Sequence, residues 1–166
     1  MTAEAMVATA TSMSFYTPSD YRPGRSIGFL MRVINQETLA RLEPAIAGEG
    51  LTNTQWQVLA SLYFNRGLTC AALARDLAHD KGAMTRLVDG LVERGLVSRE
   101  RDTGDRRVIN LSMTDAGREA AERGRGHYVG CWNRWLDGWE RSEVETLIAM
   151  LQRLHAAVEA SPGMCA

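Results

Sequence analysis

Residues 80–112 read DKGAMTRLVDGLVERGLVSRERDTGDRRVINLS. The first half carries the signals of one amphipathic helix. Asp80 is a good N-cap, because its carboxylate accepts a hydrogen bond from a free first-turn amide. Met84, Leu87, Val88, Leu91 and Val92 recur at helical spacing and make one apolar stripe. Gly95 stands where a left-handed residue ends a helix. The opposite face carries Lys81, Thr85, Arg86 and Asp89, and Lys81 is the only lysine beside eighteen arginines. A cation at a helix N-terminus opposes the macrodipole, so helix stability does not account for it. Contact with phosphate does; a solvated cation beside Asp80 is the plain alternative.

The second half reads as a two-stranded hairpin. LVSRER and RVINLS flank Asp102-Thr103-Gly104-Asp105, a cluster that tolerates a tight turn. Arg99 and Arg101 alternate and so share a face, while Arg106 and Arg107 lie at the tip. Upstream, Thr69 is the expected N-cap of CAALARDLA, whose Leu73, Ala74, Leu77 and Ala78 form a narrow apolar face. His79 and Asp80 then make the short connection that a helix-turn-helix needs. Helix, turn, helix and basic hairpin together predict a winged helix-turn-helix. That suits a DNA groove and points to a regulator rather than an enzyme. An edge hairpin blunted by charge against aggregation is the competing reading. Residues 81–107 hold seven Lys/Arg against five Asp/Glu, so placement rather than bulk charge would hold phosphate.

Composition is consistent with this. A net charge of −1 excludes a generally basic coat for nucleic acid. At 166 residues the chain is the size of one domain and long enough to bury a core. Three widely spaced cysteines argue against a disulfide framework and suit a reducing, cytoplasmic location. No apolar run reaches the length of a membrane span. Residues 1–25 are small, polar and Pro-containing, without the pattern of a signal peptide, and read as a flexible or partner-draped arm.

Helices are expected on both sides of the central motif. Ile27, Leu30, Met31, Ile34, Leu39 and Leu42 give a stripe that Pro44 and the glycines at 48 and 50 should break. Thr52 or Thr54 caps the next helix, which holds Trp56, Leu59, Ala60, Leu62 and Tyr63. Thr114 starts a long helix reaching toward Trp139. Ser142 with Glu145 reads as a capping box for a last helix, whose apolar set is Val144, Leu147, Ile148, Leu151, Leu154 and Val158. The predicted fold class is mostly α with a small β-hairpin wing.

LTNTQWQVL at residues 51–59, GLVSR at 95–99, and DTGDRR at 102–107 followed by LSMTDAG resemble the MarR (multiple antibiotic resistance regulator) family. The resemblance covers roughly residues 27–158. It implies a homodimer whose N- and C-terminal helices interleave. It also implies a pseudo-palindromic double-stranded DNA operator and a repressor released by a small ligand or by oxidation. The implied organisation is an arm at 1–25, a dimerisation helix at 26–50, a DNA-binding domain at 51–112, dimerisation helices at 113–160 and a tail at 161–166. Two recognition helices about 34–36 Å apart would read two half-sites.

By that resemblance and by groove geometry, Gly82, Thr85 and Arg86 would face base edges, and Lys81 and Thr69 would meet phosphate. Arg99 and Arg101 would face the DNA from the hairpin. Arg106 or Arg107 would enter the minor groove or grip its backbone, and the family pattern pairs Asp105 with Arg107. Which of the two arginines is free stays open.

Tyr128, Trp132, Trp135 and Trp139 fall on one side of a helix. They form either an aromatic pocket for a planar effector, with Met31, Asn35, Trp56 and Tyr63, or part of a dimer core. The glycines at 117, 124, 126, 130 and 138 make that helix either soft or closely packed. Cys70, near a helix start, and Cys131 are the candidates for a rival redox control, while Cys165 lies on the tail. A winged helix used only for protein contact is a further alternative. His79, His127 and His155 have no metal-ligand or catalytic-triad spacing, and no phosphate loop follows a strand. No catalytic residue, metal or cofactor is expected.

Overall fold

A computed structural model describes residues 14–64, 69–105 and 107–161. After a short 3₁₀ turn at Pro23–Arg25 come α1 (Ile27–Gly48), α2 (Asn53–Phe64), α3 (Cys70–Asp76) and α4 (Lys81–Glu93). Then follow β1 (Val97–Arg101), β2 (Ile109–Met113), α5 (Asp115–Trp135) and α6 (Arg141–Glu159). The chain divides into two units, one up to Arg41 and one from Leu42 onward.

In the first unit, residues 14–25 are tied to the start of α1. The Tyr16 hydroxyl donates to the Arg25 carbonyl at 2.9 Å and accepts from the Ile27 amide at 3.0 Å. The Ser26 hydroxyl, buried and 2.6 Å from that of Tyr21, accepts from the Phe29 amide. This gives α1 its N-cap. Residues 1–13 of the expected arm lie outside the described residues. Ile27, Phe29, Leu30, Met31 and Ile34 are exposed along α1.

The second unit holds the core. Leu42, Ile46, Leu51, Val58, Leu59 and Leu62 pack with Leu73, Met84, Val88, Leu91, Val97 and Leu111, joined by Ala120 and Ala121 of α5. The expected break at Pro44 does not occur, and α1 continues to Gly48. A helix-interior proline costs about 3 kcal/mol. Complete burial of Leu42 and Ile46 on either side contributes about 1.5–3 kcal/mol each, enough to offset it. Of the two threonines proposed to cap α2, Thr52 does so: its hydroxyl accepts from the Gln55 amide and its amide donates to Gln55 Oε1.

Thr69 caps α3 and Asp80 caps α4 through the Ala72 and Ala83 amides, at 3.1 and 2.9 Å. The α3 helix stops at Asp76 rather than running through Ala78, because Ala78 takes the left-handed conformation at φ 51°. Gly95, at φ 69°, ends α4 as expected. The hairpin is antiparallel, with Val97 opposite Met113, Arg99 opposite Leu111 and Arg101 opposite Ile109. Asp102 shapes its turn by accepting from the Gly104 and Asp105 amides and from Asn110 Nδ2.

The α5 helix runs unbroken, and two of its glycines are contact points. A Cβ at Gly117 would lie 2.0 Å from the Leu96 carbonyl oxygen; one at Gly124 would lie 2.1 Å from the Trp56 indole. Close packing, not softness, explains both. The helix ends at Trp135, and Gly138 at φ 81° turns the chain, so Trp139 lies beyond it. Glu140, not Ser142, caps α6, in a reciprocal box with Glu143. Among the described residues α6 buries none, and Leu147, Ile148, Met150, Leu151 and Val158 are exposed. No described helix is long and apolar enough to cross a membrane.

Candidate nucleic-acid interface

The α4 helix buries Met84, Val88 and Leu91 and turns Lys81, Gly82, Thr85 and Arg86 outward. That division follows from its apolar stripe, since the buried side fixes the exposed side. Thr85 donates to the Lys81 carbonyl at 2.9 Å. The Arg86 guanidinium folds back toward the helix start, 3.7 Å from where a Gly82 Cβ would stand. The Asp80 carboxyl is held below its ordinary range, first by the Ala83 amide and to a lesser degree by the Arg86 charge.

The wing stands beside this surface. Arg101 and Arg107 are exposed, and Arg106 lies outside the described residues. Asp105 accepts from the backbone amide of Arg107 at 2.9 Å. The Asp105–Arg107 contact is thus made through the main chain of Arg107. Arg99 is not a free cation: Nη2 sits 2.6 Å from Asp89 Oδ1 on α4. The Cys70 thiol, at the first position of α3, also faces that guanidinium. Thr69, Cys70, Thr85, Arg99, Arg107 and Ile109 border one cleft of about 460 Å³ between the helices and the wing. The Thr69 hydroxyl is already committed to its helix cap.

The sequence reading singled out Arg99 but missed its partner. Asp89 appeared only as one residue of the polar face, and nothing in local periodicity links positions ten apart across a glycine turn. Asp102 and Asn110, which organise the hairpin tip, were also read only as turn and strand residues.

Within the second unit, the aromatic residues proposed for an effector pocket have partners of their own. Trp56 and Tyr128 stack with ring centroids 3.7 Å apart, filling the space a planar ligand would take between them. Trp56 Nε1 donates to the Ala121 carbonyl and the Tyr128 hydroxyl to Asn53 Oδ1. Asn53 also donates to Glu43. Burial first, and then the Glu43 charge, push the Tyr128 hydroxyl up to about 12. Tyr63 instead bonds Glu122 and lies under the guanidinium groups of Arg118 and Arg125. Trp132 and Trp135 form an exposed edge-to-face pair at 5.2 Å. Met31 and Asn35 are exposed on α1 in the other unit.

Among the described residues no three metal-ligating side chains converge. His127 Nε2 lies 3.0 Å from Glu49 Oε1, and Arg123 Nε lies 2.8 Å from Glu49 Oε2. The His127 bond first, then the Arg123 bond, hold the Glu49 carboxyl below its ordinary 4.5. The Asp105 amide first, then the Gly104 amide, do the same for Asp102. A carboxylate with a depressed folded pKa stabilises the fold above its unfolded pKa, and that contribution is lost as pH falls through the folded value. Thermal unfolding between pH 7 and pH 3 should therefore show stability falling below about pH 4.5, where the unfolded chain begins to take up protons. Glu49→Gln and Asp102→Asn should each flatten the curve; a curve unchanged in both variants would refute this account. Cys131 accepts from Arg134 at 3.3 Å, and Cys165 lies outside the described residues.

The sequence model of the family described as MarR family matches residues 49–108. The HTH-type transcriptional repressor MdtR of Bacillus subtilis is 36% identical over 92 residues, which are 55% of this chain and 57% of that protein. The multiple antibiotic resistance protein MarR of Escherichia coli is 30% identical over 97 residues, 58% of this chain and 67% of that protein. Matches to these relatives thus span between about half and two thirds of their lengths. The crystal structure of CouR from Rhodococcus jostii bound to p-coumaroyl-CoA superposes with a TM-score of 0.70 at 26% identity. It covers 80% of this chain and 94% of that one.

Proposed function

This chain belongs to the MarR family of DNA-binding transcriptional regulators, and we propose that it is a homodimeric repressor of a pseudo-palindromic operator, released by a small molecule. The observation that carries the reading is the polar face of α4 standing beside the wing. Lys81, Thr85 and Arg86 are exposed on α4, Arg101 and Arg107 are exposed on the wing, and Thr85 and Arg107 border the same cleft. In this reading residues 51–112 bind DNA. Gly82, Thr85 and Arg86 meet base edges, Lys81 meets phosphate, and the wing tip grips the adjoining backbone or minor groove.

Residues 26–50 and 113–160 make the dimer. The α6 helix supports this, since among the described residues none of its apolar row is buried, and such a row needs a partner surface. The α1 row from Ile27 to Ile34 has the same character within its own unit. A two-fold dimer places two recognition helices one DNA turn apart. Repression is supported by the repressor role of the Bacillus relative, and release by a small molecule by the ligand carried in the Rhodococcus structure.

The test uses full-length protein and the duplex immediately upstream of its own gene. Binding should fall linearly on a log–log plot against salt, with a slope of about −0.9 for each phosphate neutralised. Sedimentation should give twice the 18.3 kDa chain mass. Monomeric protein, or binding indifferent to salt, would defeat the proposal.

A further inference from the structure

We propose that Asp89 and Arg99 are positioning residues: their ion pair sets the angle between the wing and the recognition helix, and Arg99 does not itself grip DNA. This rests on the DNA-binding reading above.

The geometry has three parts. First, the wing leaves the core early. Val97 and Leu111 are buried, and no residue farther out along the wing is buried among those described. Second, the turn joining α4 to β1 passes through Gly95, around which no atom lies within 4 Å of a would-be Cβ. Backbone bonds from Gly95 to Val92 and from Leu96 to Leu91 close the helix but do not reach the wing. Third, among the described residues no hydrogen bond or ion pair joins the wing to a helix beyond Arg99. The Asp89–Arg99 contact is its outermost tether. The Arg99 guanidinium thereby links α4 and β1, with the Cys70 thiol of α3 against it.

Stability is a poor reason for this pair. Both side chains are about a third or more exposed, and such pairs contribute about 0–1 kcal/mol. Its charge also argues against a simple DNA-facing role. Asp89 shares a face with Thr85 and Lys81, about one and two helical turns away, and a carboxylate there repels phosphate. If electrostatics alone governed, Asp89→Asn would tighten DNA binding. If Asp89 positions the wing through Arg99, the same change weakens it. The two accounts therefore differ in sign.

Full-length Asp89→Asn, Arg99→Gln, the double variant and Asp89→Glu are measured in two ways. Amide hydrogen exchange across residues 99–111, without DNA, should speed up in Asp89→Asn and Arg99→Gln and return toward wild type in Asp89→Glu. Affinity for the upstream duplex should fall about tenfold in each single variant, with the double variant no weaker than either, as coupled residues require. The salt slope of Arg99→Gln should stay at the wild-type value. Asp89→Asn binding as tightly as wild type or tighter overturns the proposal. So does a salt slope shallower by about 0.9 in Arg99→Gln, which would mean that Arg99 itself neutralises a phosphate. If wild-type protein ignores DNA, the regulator reading fails on its own. The exchange arm still judges the tether, and unchanged rates in both single variants overturn it. Should one variant fail to fold, the other decides by the same readouts.

Discussion

Gly117→Ala should lower the stability of the protein by about 3 kcal/mol or more, at or beyond the upper end for overpacking a filled site. The added Cβ would stand 2.0 Å from the Leu96 carbonyl oxygen and 2.8 Å from Met113 Cγ. The Met113 side chain can turn aside, but the Leu96 carbonyl cannot. It is part of the main chain at the base of the wing and accepts from the Thr114 amide. The first turn of α5 must therefore lift from the hairpin. At roughly 2–4 °C per kcal/mol for a chain of this size, the midpoint drops by about 6 °C or more. Gly126→Ala on the same helix is the control. Nothing lies within 4 Å of its would-be Cβ, so it should be neutral or stabilising by up to about 1 kcal/mol through helix propensity. Melting curves for Gly117→Ala and Gly126→Ala that coincide would show that the close approach does not exist.

If the proposed function holds, Arg86→Ala should leave the fold and the proposed dimer intact and remove most affinity for the upstream duplex. Arg86 is exposed on the second turn of α4 and has no described ion-pair partner. A bidentate contact from arginine to a base edge is worth about 1–3 kcal/mol. In the proposed dimer, two protomers double that to about 2–6 kcal/mol, a loss of about thirtyfold or more. Fluorescence anisotropy with the upstream duplex measures it, and sedimentation checks the dimer. Equal affinity for variant and wild type would remove Arg86 from the interface.

Local signals in the sequence carried much of this architecture. Caps at Thr69, Asp80 and Thr114 are short-range devices, and each forms the bond expected of it. The apolar stripe of α4 and the turn at 102–105 are equally local. What escaped was decided by distant parts of the chain. Leu42 and Ile46 carry α1 through Pro44 because the core receives them. Glycines 117 and 124 left a soft and a closely packed α5 equally open, and Leu96 and Trp56 against them decide for packing. The aromatic row at 128, 132 and 135 was legible as a spacing, but not the stacking of Trp56 on its first member. Arg99 was legible as a cation, and only the folded chain brings Asp89 to it.

The two notches on α5 have a geometric consequence. Gly117 and Gly124 are seven residues apart, about 10.5 Å along the axis and nearly in phase around it. A helix seated at two such points can neither roll about its own axis nor slide along it without collision. In a two-fold assembly built through the far end of α5, a turn or shift of that helix would therefore carry with it the lobe that holds Trp56 and the base of the wing.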